Sequence, residues 1–244
     1  MPQQLKKRII PCLDIRNGRV VKGKKFQDIQ DVANPLDLAK KYESEGADVL
    51  FLLDITGDDR ETFLQIVRDI RTATSLPLYV GGGIRSLDHV EETLAAGATK
   101  VSITSAAIAN PELLKDAAEK FGKDKIILSI DAKQVSDGKW HAFTNGGKKD
   151  SGLDVIEWAK QGEQFGVSEI LLNSIDMDGV KAGYDLALNK AVSEAVSIPV
   201  IASGGAGEIE HFTTVLNEQY ASAALAASVF HYDEIKIQDI KKAL

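Results

Sequence analysis

The stretch Pro77-Leu78-Tyr79-Val80-Gly81-Gly82-Gly83 decides how this chain folds, because it returns 122 positions on as Pro199-Val200-Ile201-Ala202-Ser203-Gly204-Gly205. His89 and His211, further along each copy, stand the same 122 positions apart in a chain of 244 residues. The repeat is therefore half of the sequence and not a local motif, and self-similarity on that scale sets the architecture. An earlier echo pairs Cys12-Leu13-Asp14 with Ser129-Ile130-Asp131, 117 positions on. Each half thus delivers an aspartate from a short apolar run and then a glycine-rich turn.

Around these blocks, short aliphatic runs alternate with helix-length amphipathic segments. The pattern predicts strands over 8–14, 48–54, 77–81, 100–104, 125–131, 169–173, 199–203 and 223–226. Helical periodicity falls between them, over 35–45, 61–73, 87–96, 111–121, 153–165 and 186–196. Several helices run into Gly-Ala or Gly-Val, as at Gly46-Ala47, Gly97-Ala98 and Gly166-Val167. Glycine just past a helix end takes the left-handed conformation cheaply and turns the chain into the next strand. Eight strands separated by helices imply a parallel sheet, and one this regular closes. The expected fold is α/β, a single (β/α)8 TIM barrel domain over residues 1–244 with a two-fold half-barrel repeat.

Composition narrows the function. With 44% hydrophobic residues the chain can bury a full core, and a net charge of −7 argues against a protein that neutralises a nucleic-acid backbone. Anionic ligands stay open, since backbone amides bind phosphate whatever the net charge. The single cysteine, Cys12, excludes an internal disulfide and a cysteine-rich zinc site. The basic start is followed by an apolar run that Pro11 and Asp14 interrupt, so no signal peptide is read, and no run of apolar residues is long enough to span a bilayer. The expectation is a soluble, cytoplasmic protein.

In such barrels the loops after the strands carry the chemistry. The polar residues at the predicted strand ends are Asp14, Asp54, Asp131, Asp176 and Asp178, with Lys22 on the loop after the first strand. Asp14 and Asp131 follow the first and fifth strands and so face each other across the mouth. Two carboxyls in unlike environments can serve as acid and base, although any one strand-end aspartate can equally be a helix or turn cap. Gly81-Gly82-Gly83 with Thr104-Ser105, and Gly204-Gly205 with Ala227-Ser228, read as two phosphate sites, one at each end of an elongated substrate. Glycine admits the phosphate to the backbone while helix-start amides and a hydroxyl donate to it. His89, His211, Trp140 and Trp158 read as structural, Cys12 as a packed thiol, and His141 and His231 show no metal-ligand spacing.

Taken together, Arg8-Ile9-Ile10-Pro11-Cys12-Leu13-Asp14, Val20-Val21-Lys22-Gly23, Asp54-Ile55-Thr56, Ile130-Asp131-Ala132-Lys133, Gly183-Tyr184-Asp185 and Ala226-Ala227-Ser228-Val229-Phe230-His231 resemble the cyclase subunit of imidazole glycerol phosphate synthase. The resemblance covers essentially the whole chain. It implies a histidine-biosynthesis lyase that joins ammonia to a formimino-carboxamide ribotide bearing two phosphates, giving imidazole glycerol phosphate and aminoimidazole carboxamide ribotide. It implies Asp14 and Asp131 as the acid/base pair, with Lys22, Asp54, Asp178 and Gly179 holding the substrate. Gly82, Gly83, Thr104 and Ser105 would hold one phosphate, and Gly204, Gly205, Ala227 and Ser228 the other. It implies no metal and no organic cofactor.

The resemblance also implies a partner, a glutaminase docked on the N-terminal barrel face and delivering ammonia through the barrel. A charged ring at that face usually holds an arginine, a glutamate, a lysine and a second glutamate. Arg8, Lys100 and Glu169 stand at three of those places, but Val49 stands at the first glutamate's, and Thr99 stands where an aspartate is common. Thr104 likewise replaces an asparagine at one phosphate site. The sister isomerase of the pathway, a paralogous ammonia-using cyclase of surface-sugar synthesis and a non-catalytic phosphate- or partner-binding barrel are the alternatives. The Cys12-Leu13-Asp14 and Asp54-Ile55-Thr56 strings favour the cyclase over the isomerase, and the retention of both aspartates speaks against a non-catalytic barrel.

Overall fold

The computed structural model describes residues 6–24, 27–56 and 59–244, with the side chains of 22–32 outside that description. In chain order the strands are β1 (Arg8–Arg16), β2 (Arg19–Lys24), β3 (Gln27–Ala33), β4 (Leu50–Asp54), β5 (Leu78–Gly81), β6 (Lys100–Ile103), β7 (Ile126–Ser136), β8 (Lys139–Thr144), β9 (Lys149–Asp154), β10 (Glu169–Ser174), β11 (Val200–Ser203) and β12 (Ala223–Ala226). The helices are α1 (Pro35–Ser44), α2 (Arg60–Ala73), α3 (Leu87–Ala95), α4 (Ser105–Ala109), α5 (Glu112–Phe121), α6 (Val155–Phe165), α7 (Leu186–Ala195), α8 (Ile209–Asn217), α9 (Ser228–His231) and α10 (Ile237–Ala243).

Strands β1, β4, β5, β6, β7, β10, β11 and β12 pair in parallel in that order, and β12 returns to β1 with Ala223 opposite Arg8. The sheet is closed, and the expected (β/α)8 barrel is the fold. Gly82 follows the third barrel strand and Gly204 the seventh, four strands apart, as the repeat requires. Two antiparallel extensions were not foreseen. β1 and β7 run past the barrel rim and continue into hairpins, β2–β3 after the first barrel strand and β8–β9 after the fifth. Lys22, expected on a loop, sits in β2 opposite Gln30.

Alternation along each strand sorts side chains into two layers. On β1, Ile9, Leu13 and Ile15 face the helices, whereas Ile10 and Cys12 join the cluster inside the barrel. That interior cluster also takes Val49, Phe51, Tyr79, Ile127, Leu171, Ile201 and Leu225. The outer layer is closed by amphipathic helices. On α2, Phe63, Leu64, Val67 and Ile70 recur at helical spacing and are buried, while Asp59 caps its start by accepting from the Thr62 amide at 3.1 Å. Each such apolar side chain contributes roughly 1.5–3 kcal/mol by leaving water.

The half-barrel repeat extends to single hydrogen bonds. The Glu43 carboxylate of α1 accepts from the Ser75 amide at 2.7 Å, and that of Glu163 in α6 accepts from the Ser197 amide at 2.9 Å. A finer repeat runs round the N-terminal rim, where a residue one or two places before every second barrel strand latches onto the strand preceding it. Asp48 accepts from the Ile9 amide at 3.0 Å and Thr99 from the Leu78 amide at 3.0 Å. Ser168 and Ser222 donate to the Ile126 and Val200 carbonyls at 2.9 and 3.2 Å. Thr99 therefore serves this chain's own rim. No helix among the described residues is long and apolar enough to cross a membrane.

Candidate functional site

At the C-terminal mouth a single cavity of about 790 Å³ opens among the strand ends. Asp14, Asp54, Asp131, Asp178 and Gly179 line it, together with both glycine blocks and Thr104, Ser105, Ala227 and Ser228. Every sequence-predicted substrate residue except Lys22 thus meets in one space, and the Lys22 side chain lies outside the described residues. Asp176 is not among them; its carboxylate accepts from the Gln134 amide at 2.8 Å and so fastens the second hairpin. Asp54 combines two of the expected readings. It is buried and caps its own turn by accepting from the Thr56 amide at 3.0 Å, and it also borders the cavity.

The turns after β5 and β11 explain why glycine recurs there. Gly82 and Gly204 have φ of +89° and +87°, and a Cβ would lie 2.0 Å from the Asp54 carbonyl oxygen in the first and 2.6 Å from that of Ser174 in the second. Only a residue without a side chain lets the strand end pass so close to its neighbour. Thr104 and Ala227, at the N-caps of α4 and α9, share an unusual backbone, with φ/ψ of −117°/−99° and −124°/−74°. Neither puts a side-chain oxygen on its helix start, so the first-turn amides beside the cavity keep no side-chain acceptor.

His89 and His211 are structural, as expected. His211 Nδ1 accepts from the Gly207 amide at 3.1 Å, whereas His89 Nδ1 lies 3.0 Å from the Gly83 carbonyl. Cys12 is buried inside the barrel with its thiol 3.6 Å from the Asp14 carboxylate. Trp140 and Trp158 are buried in the outer core. His141 lies 3.1 Å from Asp150 on the second hairpin, and His231 Nδ1 lies 2.6 Å from the Tyr42 hydroxyl in the core.

The two aspartates differ in their surroundings. Burial pushes the Asp131 carboxyl above its ordinary range; a hydrogen bond from Asn173 Nδ2 at 3.0 Å pulls it back, and the charge of Asp178 pushes it up again. Asn173 was not singled out from the sequence, and nor were Asn145 and Gly146, which line the cavity from the tip of the β8–β9 hairpin. The Asn145 amide donates to Ser105 Oγ at 3.2 Å, so the hairpin of the second half docks on the first-half turn that opens α4. Counting by twos from Glu169 would have found Asn173, because Leu171 and Asn173 share its inward-facing register.

At the opposite mouth, Arg8, Lys100 and Glu169 form one network. Arg8 pairs with Glu169 through both guanidinium nitrogens, at 2.6 and 3.3 Å, and Lys100 donates to the same carboxylate. Burial alone would raise Glu169, but Arg8 and Lys100 outweigh it and hold the carboxyl below its ordinary value. Val49 is buried apolar surface here. Tyr79 joins the network: its hydroxyl donates to Glu169 at 2.9 Å and accepts from Arg8 at 3.1 Å.

Residues 8–236 match the family described as histidine biosynthesis protein. A relative from Oceanobacillus iheyensis, imidazole glycerol phosphate synthase subunit HisF, is 57% identical over 242 residues, covering 98% of this chain and 95% of the relative. Proteins of the same name from Streptococcus mutans and Streptococcus sanguinis are 50% and 49% identical, each over 98% of this chain and 96% of the relative. With both halves of the barrel, both glycine turns and both aspartates inside the matched span, this chain belongs to the histidine biosynthesis protein family.

Proposed function

We infer that this chain is the cyclase subunit of imidazole glycerol phosphate synthase, a carbon–nitrogen lyase of histidine biosynthesis. The observation that carries the reading is the single cavity in which Asp14 and Asp131 lie with an anion turn from each half of the barrel. An elongated substrate with a phosphate at each end fits that layout. One phosphate rests on Gly82, Gly83, Thr104 and Ser105, the other on Gly204, Gly205, Ala227 and Ser228, held by backbone amides and hydroxyls. Lys22, Asp54, Asp178 and Gly179 complete the hold on the substrate.

In this reading ammonia attacks the ribulosyl carbonyl, and Asp131 gives the proton with which the carbonyl oxygen leaves as water. A carboxyl whose proton affinity burial raises suits that step. Asp14 then moves protons during ring closure and departure of the carboxamide ribotide. Ammonia comes from a cytoplasmic glutaminase partner docked at the N-terminal mouth, past Arg8, Lys100 and Glu169. The relatives' designation as subunits supports a partner. With Val49 and Thr99 in place of acids, that complex is expected to be weaker or more salt-sensitive than one built on both acids.

The deciding assay supplies the purified chain with the bis-phosphate ribotide and an ammonium salt, without glutaminase. Formation of imidazole glycerol phosphate and the carboxamide ribotide in equal amounts is the expected result. No turnover by folded protein at saturating ammonia would overturn the reading.

A further inference from the structure

The two halves of the barrel repeat each other closely, and they part company next to the aspartates. Asp131, Asn173 and Ser203 stand side by side at one level across β7, β10 and β11, since Asn173 is the register partner of both others. Ser203 Oγ donates to Asn173 Oδ1 at 3.1 Å, and Asn173 Nδ2 donates to Asp131 Oδ1 at 3.0 Å. The carboxylate settles which way the amide points: an ionised Asp131 only accepts, so the Asn173 NH2 faces it and the amide oxygen takes the Ser203 hydroxyl, which can donate or accept. Ser203 is itself buried. In the first half the same level carries Asp14, then Leu53 as its register partner, then Gly81. Leucine and glycine have no side-chain donor, so the relay exists in one half only.

We propose that Asn173, oriented by Ser203, is a positioning residue for Asp131, fixing one carboxylate oxygen and leaving the other for the substrate, so that the two aspartates cannot exchange roles. The proposal rests on the proton-transfer reading above and deepens it. The charged group acting on Asp131 is Asp178, from the loop after β10. Its partner on β8, Phe143, is apolar, and the nearby cavity residues Ser102 and Thr104 on the β6 side do not titrate. Removing the amide therefore leaves burial and Asp178 unopposed, and Asp131 should hold its proton to higher pH.

Two readouts test this. In the ammonia-dependent assay, Asn173→Ala should lower kcat about 10–100-fold with KM within about threefold, as a misplaced catalytic group does. The ionisation seen in its kcat–pH profile should move upward. Ser203→Ala should move it the same way by less, and it reports on the relay even if Asn173→Ala is inactive. The second readout needs no turnover: the Tm difference between wild type and Asn173→Ala, followed against pH. It should widen as pH rises through the ionisation of Asp131, and become pH-independent when both proteins also carry Asp131→Asn. A pH-dependent difference that persists in the Asp131→Asn background, or none in either background, overturns the relay whatever the assay says. Absence of turnover in wild type with the thermal result intact would instead count against the proposed reaction.

Discussion

Replacing Glu169 by glutamine isolates the network at the N-terminal mouth. The carboxylate is 3% exposed and takes hydrogen bonds from Arg8, Tyr79 and Lys100. The amide keeps the shape but removes the anion, leaving two cations facing each other across a neutral group. Breaking a buried pair by neutralising one partner costs about 3–5 kcal/mol. The Arg8 and Lys100 side chains remain 18% and 16% exposed, so water recovers part of their charge. The figure therefore falls to about 2–4 kcal/mol. For a chain of this size that lowers Tm by about 5–15 °C at neutral pH. Because the folded pKa of Glu169 is depressed, its stabilisation is present above the unfolded value and lost as pH falls through the folded one. The gap between wild type and variant should thus be full at pH 7 and close below about pH 4. Glu169 lies four residues, about 13 Å, along β10 from the level of Asp131, so ammonia-dependent turnover should be unchanged. Thermal melts by circular dichroism at three pH values, with turnover measured in parallel, read all of this. A Tm within 2 °C of wild type at pH 7, or a gap that does not change with pH, would refute the reasoning.

Asp131→Asn should lower turnover by about 10²–10⁴-fold while raising Tm above neutral pH. The Asp131 carboxyl is raised by burial, so the fold loses stability as pH climbs through its ionisation, and asparagine removes that loss, worth about 2–4 °C per kcal/mol; a lower Tm than wild type at pH 8 would contradict this. Gly82→Ala should cost about 2–4 kcal/mol, since it adds a collision with the Asp54 carbonyl to a left-handed backbone. Gly138→Ala, also at positive φ but with open space around it, should cost only about 1 kcal/mol, and equal urea midpoints for the two would sink the close-approach argument. Tyr79→Phe should lose about 1.5–3 kcal/mol by removing a hydroxyl bonded to two charged groups; an unchanged midpoint would take Tyr79 out of the network.

The barrel was legible in the sequence because its rules are periodic. Glycine turns fall at fixed offsets, helices end in Gly-Ala or Gly-Val, and apolar runs mark strands too buried to alternate cleanly. The same logic brought Asp14, Asp131 and both glycine turns into one cavity. What it missed is polar sequence doing structural work. Residues 132–152 carry no assigned element between the predicted fifth strand and the helix after it, yet their backbone continues β7 and pairs into β8 and β9, which carry Asn145 and Gly146 over the mouth. A hairpin on a barrel rim has one open edge and buries few side chains, here Ala132, Trp140 and Ala142, so its apolar pattern is too short to stand out.

Tyr79 and Asn173 were hidden for the opposite reason. Each sits in an apolar run, on β5 and β10, where an isolated polar group looks like noise until the strand's inward register is counted. Their neighbours explain why they matter. On a barrel strand an inward-facing polar side chain meets its partners on the neighbouring strands. Tyr79 finds Arg8 and Glu169 at one end, and Asn173 finds Asp131 and Ser203 at the other. The repeat supplies both halves with the same framework of turns, caps and rim latches. Chemistry on a substrate whose two ends differ needs the halves to differ, and that difference rests on a few inward side chains whose equivalents, such as Leu53 and Gly81, cannot hydrogen-bond through a side chain.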